Sequence, residues 1–223
     1  MNKHLSHLSL RQMLAAVMLL MLSTATAVAI ERTSPSTADH SQFEKLQQSF
    51  ETAPDVTQAC ISCHTEASKQ LQKTTHWTLE YPHPETGQML GKRHVINSFC
   101  GAAASNEPFC TSCHTGYGWN DMRLPPPTSE NAVDCLICHD TTGDYKKSPN
   151  QAGHPIYEYK DPVDSSIIHK TDFANIAQNI GPTSSRNCGS CHFYGGGGDG
   201  VKHGDLDSSL LTAPRALDVH MSK

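Results

Sequence analysis

One short pattern, repeated four times, constrains this chain more than any other feature: Cys60-Ile-Ser-Cys63-His64, Cys110-Thr-Ser-Cys113-His114, Cys135-Leu-Ile-Cys138-His139 and Cys188-Gly-Ser-Cys191-His192. Eight of the nine cysteines belong to it, and a histidine follows every pair although the chain has only 14 histidines in 223 residues. Two thiols three residues apart can add to the two vinyl groups of one haem, and the next residue is then placed for its imidazole to reach the iron. Other uses of Cys-x-x-Cys fit less well. Zinc sites do not demand an adjoining histidine. A secreted disulfide framework does not repeat one spacing four times. A thioredoxin-type motif occurs once per domain, near a βαβ pattern that is absent here. The pattern predicts four covalently attached haems, with the eight paired cysteines as attachment points and His64, His114, His139 and His192 as proximal ligands.

The first residues read differently from the rest. Lys3 and Arg11 precede the apolar run Met13–Leu22, and Ala25-Thr26-Ala27 and Ala27-Val28-Ala29 offer small-x-small cleavage sites. That order is a secretory signal peptide, assigned to 1–29; the run falls well short of the ~20 apolar residues that span a bilayer. The mature chain, 30–223, is therefore expected in the periplasm with no membrane span. Removing Lys3 and Arg11 leaves 15 Lys+Arg against 22 Asp+Glu, a net charge of −7. An acidic chain is a poor partner for nucleic acid, and any anion site in it needs local positive charge. With 37% hydrophobic and 6% aromatic residues, part of them in the signal, the supply for a conventional core is thin, so the cofactors must fill much of the interior.

Four haems need up to four distal ligands. Outside the motifs the mature chain has His40, His76, His83, His94, His154, His169, His203 and His220, and imidazole is a common sixth ligand. Either about half are bystanders or some serve haems not encoded here. The candidates for ligation are His76, His94, His154, His203 and His220. Lys202-His203 follows Gly195–Gly198, Asp199 and Gly200, where the backbone can approach a flat cofactor closely. In an extended stretch these two side chains would point to opposite sides and serve different haems. Cys100 is the odd cysteine, ten residues before the second motif, and a thiol beside a redox centre is one explanation for it.

Phe43, Leu46 and Phe50 at helical spacing predict an amphipathic helix over Ser41–Glu51. A second helix is expected over Gln58–Gln72 with Ala67 and Leu71 on one face, and a short one over Ala174–Ile180. Pro125-Pro126-Pro127, the glycine run and scattered prolines mark loops. No segment alternates as a strand does. The fold class is mainly α with extensive coil and little β, organised around haems. The motifs begin at 60, 110, 135 and 188, too unevenly for a solenoid, and the short second gap predicts near contact between haems two and three.

The residues Thr74-Thr75-His76-Trp77, Gly91–Cys100, Ser105–His114 with Gly116-Tyr117-Gly118-Trp119, Asp134–Gly143, Gly153-His154-Pro155 and Cys188–Asp205 together resemble the octahaem tetrathionate reductase family of periplasmic multihaem cytochromes c. The resemblance covers essentially all of the mature chain, and the stretch Asp199-Gly-Val-Lys-His-Gly-Asp205 is its most specific part. It implies that this is the N-terminal, four-haem portion of a longer octahaem protein. It also implies that lysine replaces a distal histidine at the active-site haem. Lys202 matches that role, with Asp199 and Cys100 beside the second haem (Cys110, Cys113, His114) and Lys146 or Lys147 as the next candidates. The implied reaction is reduction of tetrathionate to two thiosulfates, or of small nitrogen species such as nitrite and hydroxylamine. Electrons would come from quinol-linked or periplasmic cytochrome donors. The alternative is a tetrahaem electron carrier without a substrate site.

Overall fold

The computed structural model describes residues 38–94, 96–97, 101–102, 111–149, 151–194, 198–201, 204–218 and 221, all of them within Pro35–Lys223. The signal segment 1–29, Cys100, Cys110, Lys202, His203 and His220 lie outside the described residues. Helices here are short because glycine, proline and capping residues interrupt the chain every few turns. In order they are α1 (Ala53–Ile61), α2 (Ala67–Leu71), α3 (Thr75–Thr78), α4 (Leu136–His139), α5 (Phe173–Gln178) and α6 (Ser185–His192). Three antiparallel ladders of two or three residues accompany them: β1 (Tyr81–Pro82) with β2 (Met89–Leu90), β3 (Ile96–Asn97) with β4 (Gly101–Ala102), and β5 (Glu158–Lys160) with β6 (Ile168–Lys170).

Local chemistry sets the two longest helices. Thr52 and Asp55 form a reciprocal capping box at α1, with Pro54 in its first turn, and Ser184 and Asn187 do the same at α6. These side chains satisfy the amide groups that a helix start leaves unpaired. The Cys-x-x-Cys-His motifs then occupy helical turns, where residues three and four apart share a face and two thiols and an imidazole can converge. Cys60 sits in the last turn of α1, α4 spans the end of the third motif, and α6 ends on His192. Thr111–Cys113 makes a 3-10 turn within the second motif.

The core gathers Val56 of α1, Leu136 and Ile137 of α4, Phe173, Ile176 and Ala177 of α5, and Leu46, Tyr117 and Tyr145, with Cys60 and Cys138 packed against it. Two of the expected helices change form. Ser41–Glu51 is two 3-10 turns, His40–Gln42 and Glu44–Leu46, of which Leu46 is buried while Phe43 is exposed. Within the expected Gln58–Gln72 helix the chain breaks after Ile61, and in α2 the buried residue is Ser68 rather than Ala67 or Leu71. Its hydroxyl donates to the Glu130 carbonyl, a tertiary bond that outweighs the apolar spacing. The short α5 matches its expected place.

Candidate haem-binding site

Of the motif histidines, His139 and His192 are oriented alike. His139 Nδ1 lies 2.9 Å from the Gly181 carbonyl oxygen and His192 Nδ1 lies 2.6 Å from that of Gly204. A carbonyl only accepts, so each Nδ1 carries the proton and each Nε2 keeps its lone pair, the tautomer and orientation of a metal-ligating histidine. Gly181 also donates its N–H to the His139 carbonyl, which fixes the segment after α5 to α4. His114 differs. It is buried, its Nε2 lies 2.8 Å from the Trp77 carbonyl oxygen, and its Nδ1 is buried without a partner. The Trp77 carbonyl only accepts, so Nε2–H donates to it and Nδ1 is the unpaired nitrogen, the reverse of His139 and His192. Burial first, and Lys147 after it, hold the His114 pKa down at about 4, so the ring is neutral.

Two histidines outside the motifs face motif histidines. The rings of His40 and His64 are nearly parallel, with centroids 6.3 Å apart and planes 19° apart. Those of His76 and His192 are 6.1 Å apart at 90°. Two imidazoles sharing one metal ion through nitrogen bonds of about 2 Å each, with the ring radius added on both sides, have centroids about 6 Å apart. Burial lowers the pKa of both His40 and His76, with His64 and His192 respectively adding to the effect. His76 rides on α3, whose position is fixed by the Thr115 hydroxyl donating to the His76 carbonyl and by buried Trp77. Trp77 packs so closely on Gly116 that a side chain at that position would collide with the indole ring and with the Ala132 carbonyl. His40 was not among the expected ligands, and nothing in Asp39-His40-Ser41 marks it.

The remaining candidates are placed as follows. His94 Nε2 lies 2.7 Å from Glu80, which also pairs with Arg93. His154 stacks on Tyr117, and its Nδ1 lies 2.9 Å from the Tyr157 hydroxyl. His83 accepts backbone N–H groups of Glu85 and Thr86 in a turn, and His169 pairs with Asp161. Asp199 is exposed and its carboxylate accepts the Ser208 N–H and hydroxyl, tying the glycine-rich segment to the following turn. Lys147 is buried in an ion pair with Asp134. Cys100, Cys110, Lys202, His203 and His220 lie outside the described residues.

The thiols draw the motifs together in two sets. Cys60 of the first motif hydrogen-bonds Cys135 of the third, which lowers the pKa of Cys60 and raises that of Cys135. Cys113 of the second bonds Cys191 of the fourth, whose pKa is raised in turn. Motifs two and three are joined through the buried pair of Lys147 and Asp134. Among the described residues no three His, Cys, Asp or Glu side chains converge as the ligands of a protein-only metal site do. Thiol pairs on helical turns, Nδ1–carbonyl bonds that leave Nε2 of His139 and His192 for a metal, and facing imidazoles at the right separation fit haem c.

Comparison with known proteins agrees. The family model for cytochrome c554 and c-prime matches residues 59–140, which hold the first three motifs. An octahaem cytochrome c from Shewanella oneidensis, known from its crystal structure, is similar at 45% identity and a TM-score of 0.61 over 82% of this chain. The match spans 38% of that protein's chain. No curated protein matches. No described helix is long and apolar enough to cross a membrane. Both likenesses are to multihaem cytochromes c, and with the four attachment motifs they identify covalently bound haem c as the cofactor of this chain.

Proposed function

We propose that this chain is the electron-carrying array, and part of the active site, of a periplasmic reductase that is exported by segment 1–29 and carries its haems in 30–223. The observation that carries this reading is the contrast between the second motif and its neighbours. His64 faces the imidazole of His40, and His192 faces that of His76. His114 is flanked by the indoles of Trp77 and Trp119, with ring centroids 4.7 and 4.8 Å away. No facing imidazole accompanies His114 among the described residues, and in this reading Lys202 is its sixth ligand, with Cys100 and Asp199 beside it. His154, with its Nδ1 engaged, keeps Nε2 for a further haem, and His94, His203 and His220 complete the pool of distal ligands.

Bound haem supplies one-electron storage at each iron and an electrophilic centre where the sixth position can exchange. The protein's own groups do the rest. Facing imidazoles hold His64 and His192 as closed electron-carrying sites. Lys202 would occupy the sixth position as the neutral amine. Asp199 pins the loop that carries it. Tetrathionate is the proposed substrate: two electrons break its central S–S bond and two thiosulfates leave, with no proton required. Nitrite and hydroxylamine are small enough for the same position. The two facing imidazole pairs also favour a second reading, a tetrahaem carrier with every haem six-coordinate.

The test is Lys202→Ala in the haem-loaded chain. Lysine must be neutral to ligate iron, and arginine stays protonated, so Lys202→Ala and Lys202→Arg should both give one high-spin haem. Binding of nitrite or cyanide there should strengthen. If spectra and anion binding stay as in the wild type, the carrier reading replaces the reductase.

A further inference from the structure

We infer that the buried ion pair Lys147–Asp134 sets the second and third haem sites at different reduction potentials, raising the one held by His114 and lowering the one held by His139, so that electrons are drawn from the third motif to the second. The inference rests on the electron-carrying reading above and adds a direction to it.

The pair is fully enclosed. Lys147 Nζ lies 3.0 Å from Asp134 Oδ2, with side chains 4% and 0% exposed. Its two charges are tied to different motifs. Lys147 donates to the carbonyl oxygens of His114 and Gly116, so the cation is anchored to the backbone of the second motif's own proximal residue. Asp134 precedes Cys135 and accepts the N–H of Ile137 in α4 at 3.1 Å. The anion is therefore anchored to the third motif. Two tyrosines fix its remaining positions: Tyr117 donates to Oδ1 at 3.0 Å and Tyr145 to Oδ2 at 2.9 Å. The charges cannot rotate away from this order, and buried charges are screened far less than surface ones.

The cation is thus hydrogen-bonded to the second motif and the anion to the third. A positive neighbour favours the electron-rich state of an iron and a negative neighbour disfavours it. With haem bound, one electron would pass from ferrous iron held by His139, leaving it ferric, to ferric iron held by His114. Lys147 and Asp134 keep their charges and no proton moves. Stability alone does not explain the pair, because buried ion pairs are often no more stabilising than apolar replacements.

The experiment is a haem-resolved redox titration, followed by NMR, of the complete haem-loaded chain. Lys147→Gln with Asp134→Asn removes both charges and keeps hydrogen-bonding groups. The potential at His114 should fall and that at His139 should rise, narrowing the gap. Tyr145→Phe keeps every charge and removes one donor from the carboxylate. It should lower the potential at His139 more than that at His114, and it decides the matter if the double variant does not load haem. Potentials that stay in place in Tyr145→Phe, or shift together in the double variant, overturn the inference. Failure of the wild type to reduce or bind any substrate counts against the reductase reading and leaves the ordering of potentials intact.

Discussion

At the scale of single residues, His40 and His76 have the sharpest consequences. Each sits about 6 Å, centroid to centroid, from a motif histidine, and burial lowers the pKa of each. Replacing His76 by Ala should convert the haem at His192 alone from low to high spin, and His40→Ala should do the same at His64. The double variant should show two high-spin haems, since the two pairs share no residue. Visible and EPR spectra of the loaded protein check this, and an unchanged low-spin spectrum in either single variant removes that histidine from the ligand set. The motif histidines were legible in the sequence because attachment chemistry writes its own spacing. The distal ones were not, because a facing imidazole is made by tertiary structure. His40 comes from a 3-10 turn far from the first motif along the chain, and no local pattern separates it from His83, whose ring serves only a turn.

At the scale of elements, caps and hairpins position the haem ligands and were partly readable. The Ala174–Ile180 expectation survives as α5 because Phe173, Ile176 and Ala177 form a buried stripe. Ser41–Glu51 does not survive as one helix: Asp39 caps the first turn, Phe43 then takes an extended conformation, and the chain restarts. Leu46 is buried and Phe50 packs on the core while Phe43 is exposed, so local side-chain bonds fixed the backbone and with it which of the spaced residues face inward. The hairpin of β5 and β6 shows the same local control. Asp161 accepts the N–H groups of Val163 and Asp164 at 2.8 and 3.0 Å and pairs with His169 at 2.9 Å. The Asp164 amide first, then His169 and the Val163 amide, hold the Asp161 pKa down at about 2, against an ordinary 3.8. A carboxylate with a depressed folded pKa contributes stability that is fully present above its unfolded value and is lost as pH falls through the folded one. The 161–169 turn should therefore stay ordered at pH 5 and loosen between about pH 4 and pH 2. In His169→Ala the Asp161 pKa should rise but remain below 3.8, because the amides persist. An NMR titration of the Asp161 carboxyl reads both, and a value at or above 3.8 in the wild type refutes the turn's role.

At the scale of the whole molecule, the cofactors and the apolar core are one structure, and the four attachment sites are not equivalent within it. Cys60 and Cys138 pack directly against the central cluster of Val56, Leu136, Ile137 and Ile176. α6, which carries Cys188 and Cys191, has no buried residue and reaches the rest through Asn187, which donates to the Asp140 carbonyl, and through contact with the Ser208–Thr212 turn. A chain of 37% hydrophobic residues leaves little margin, since domains of this kind are held by only about 5–15 kcal/mol and burial of the cofactor is coupled to folding. Loss of haem should therefore be graded by position. Cys188→Ala with Cys191→Ala should give an exported, protease-resistant chain with three haems. Cys60→Ala with Cys63→Ala removes the cofactor that adjoins α1 and should give a protease-sensitive chain with little haem of any kind. Expression without export and haem attachment should resemble the second case throughout. Pyridine haemochrome assay and limited proteolysis on the purified proteins measure haem content and compactness together. If the first-motif variant holds three haems and resists protease as well as the fourth-motif variant does, the core does not depend on the haem at α1, and the polypeptide cluster alone is sufficient to hold the fold.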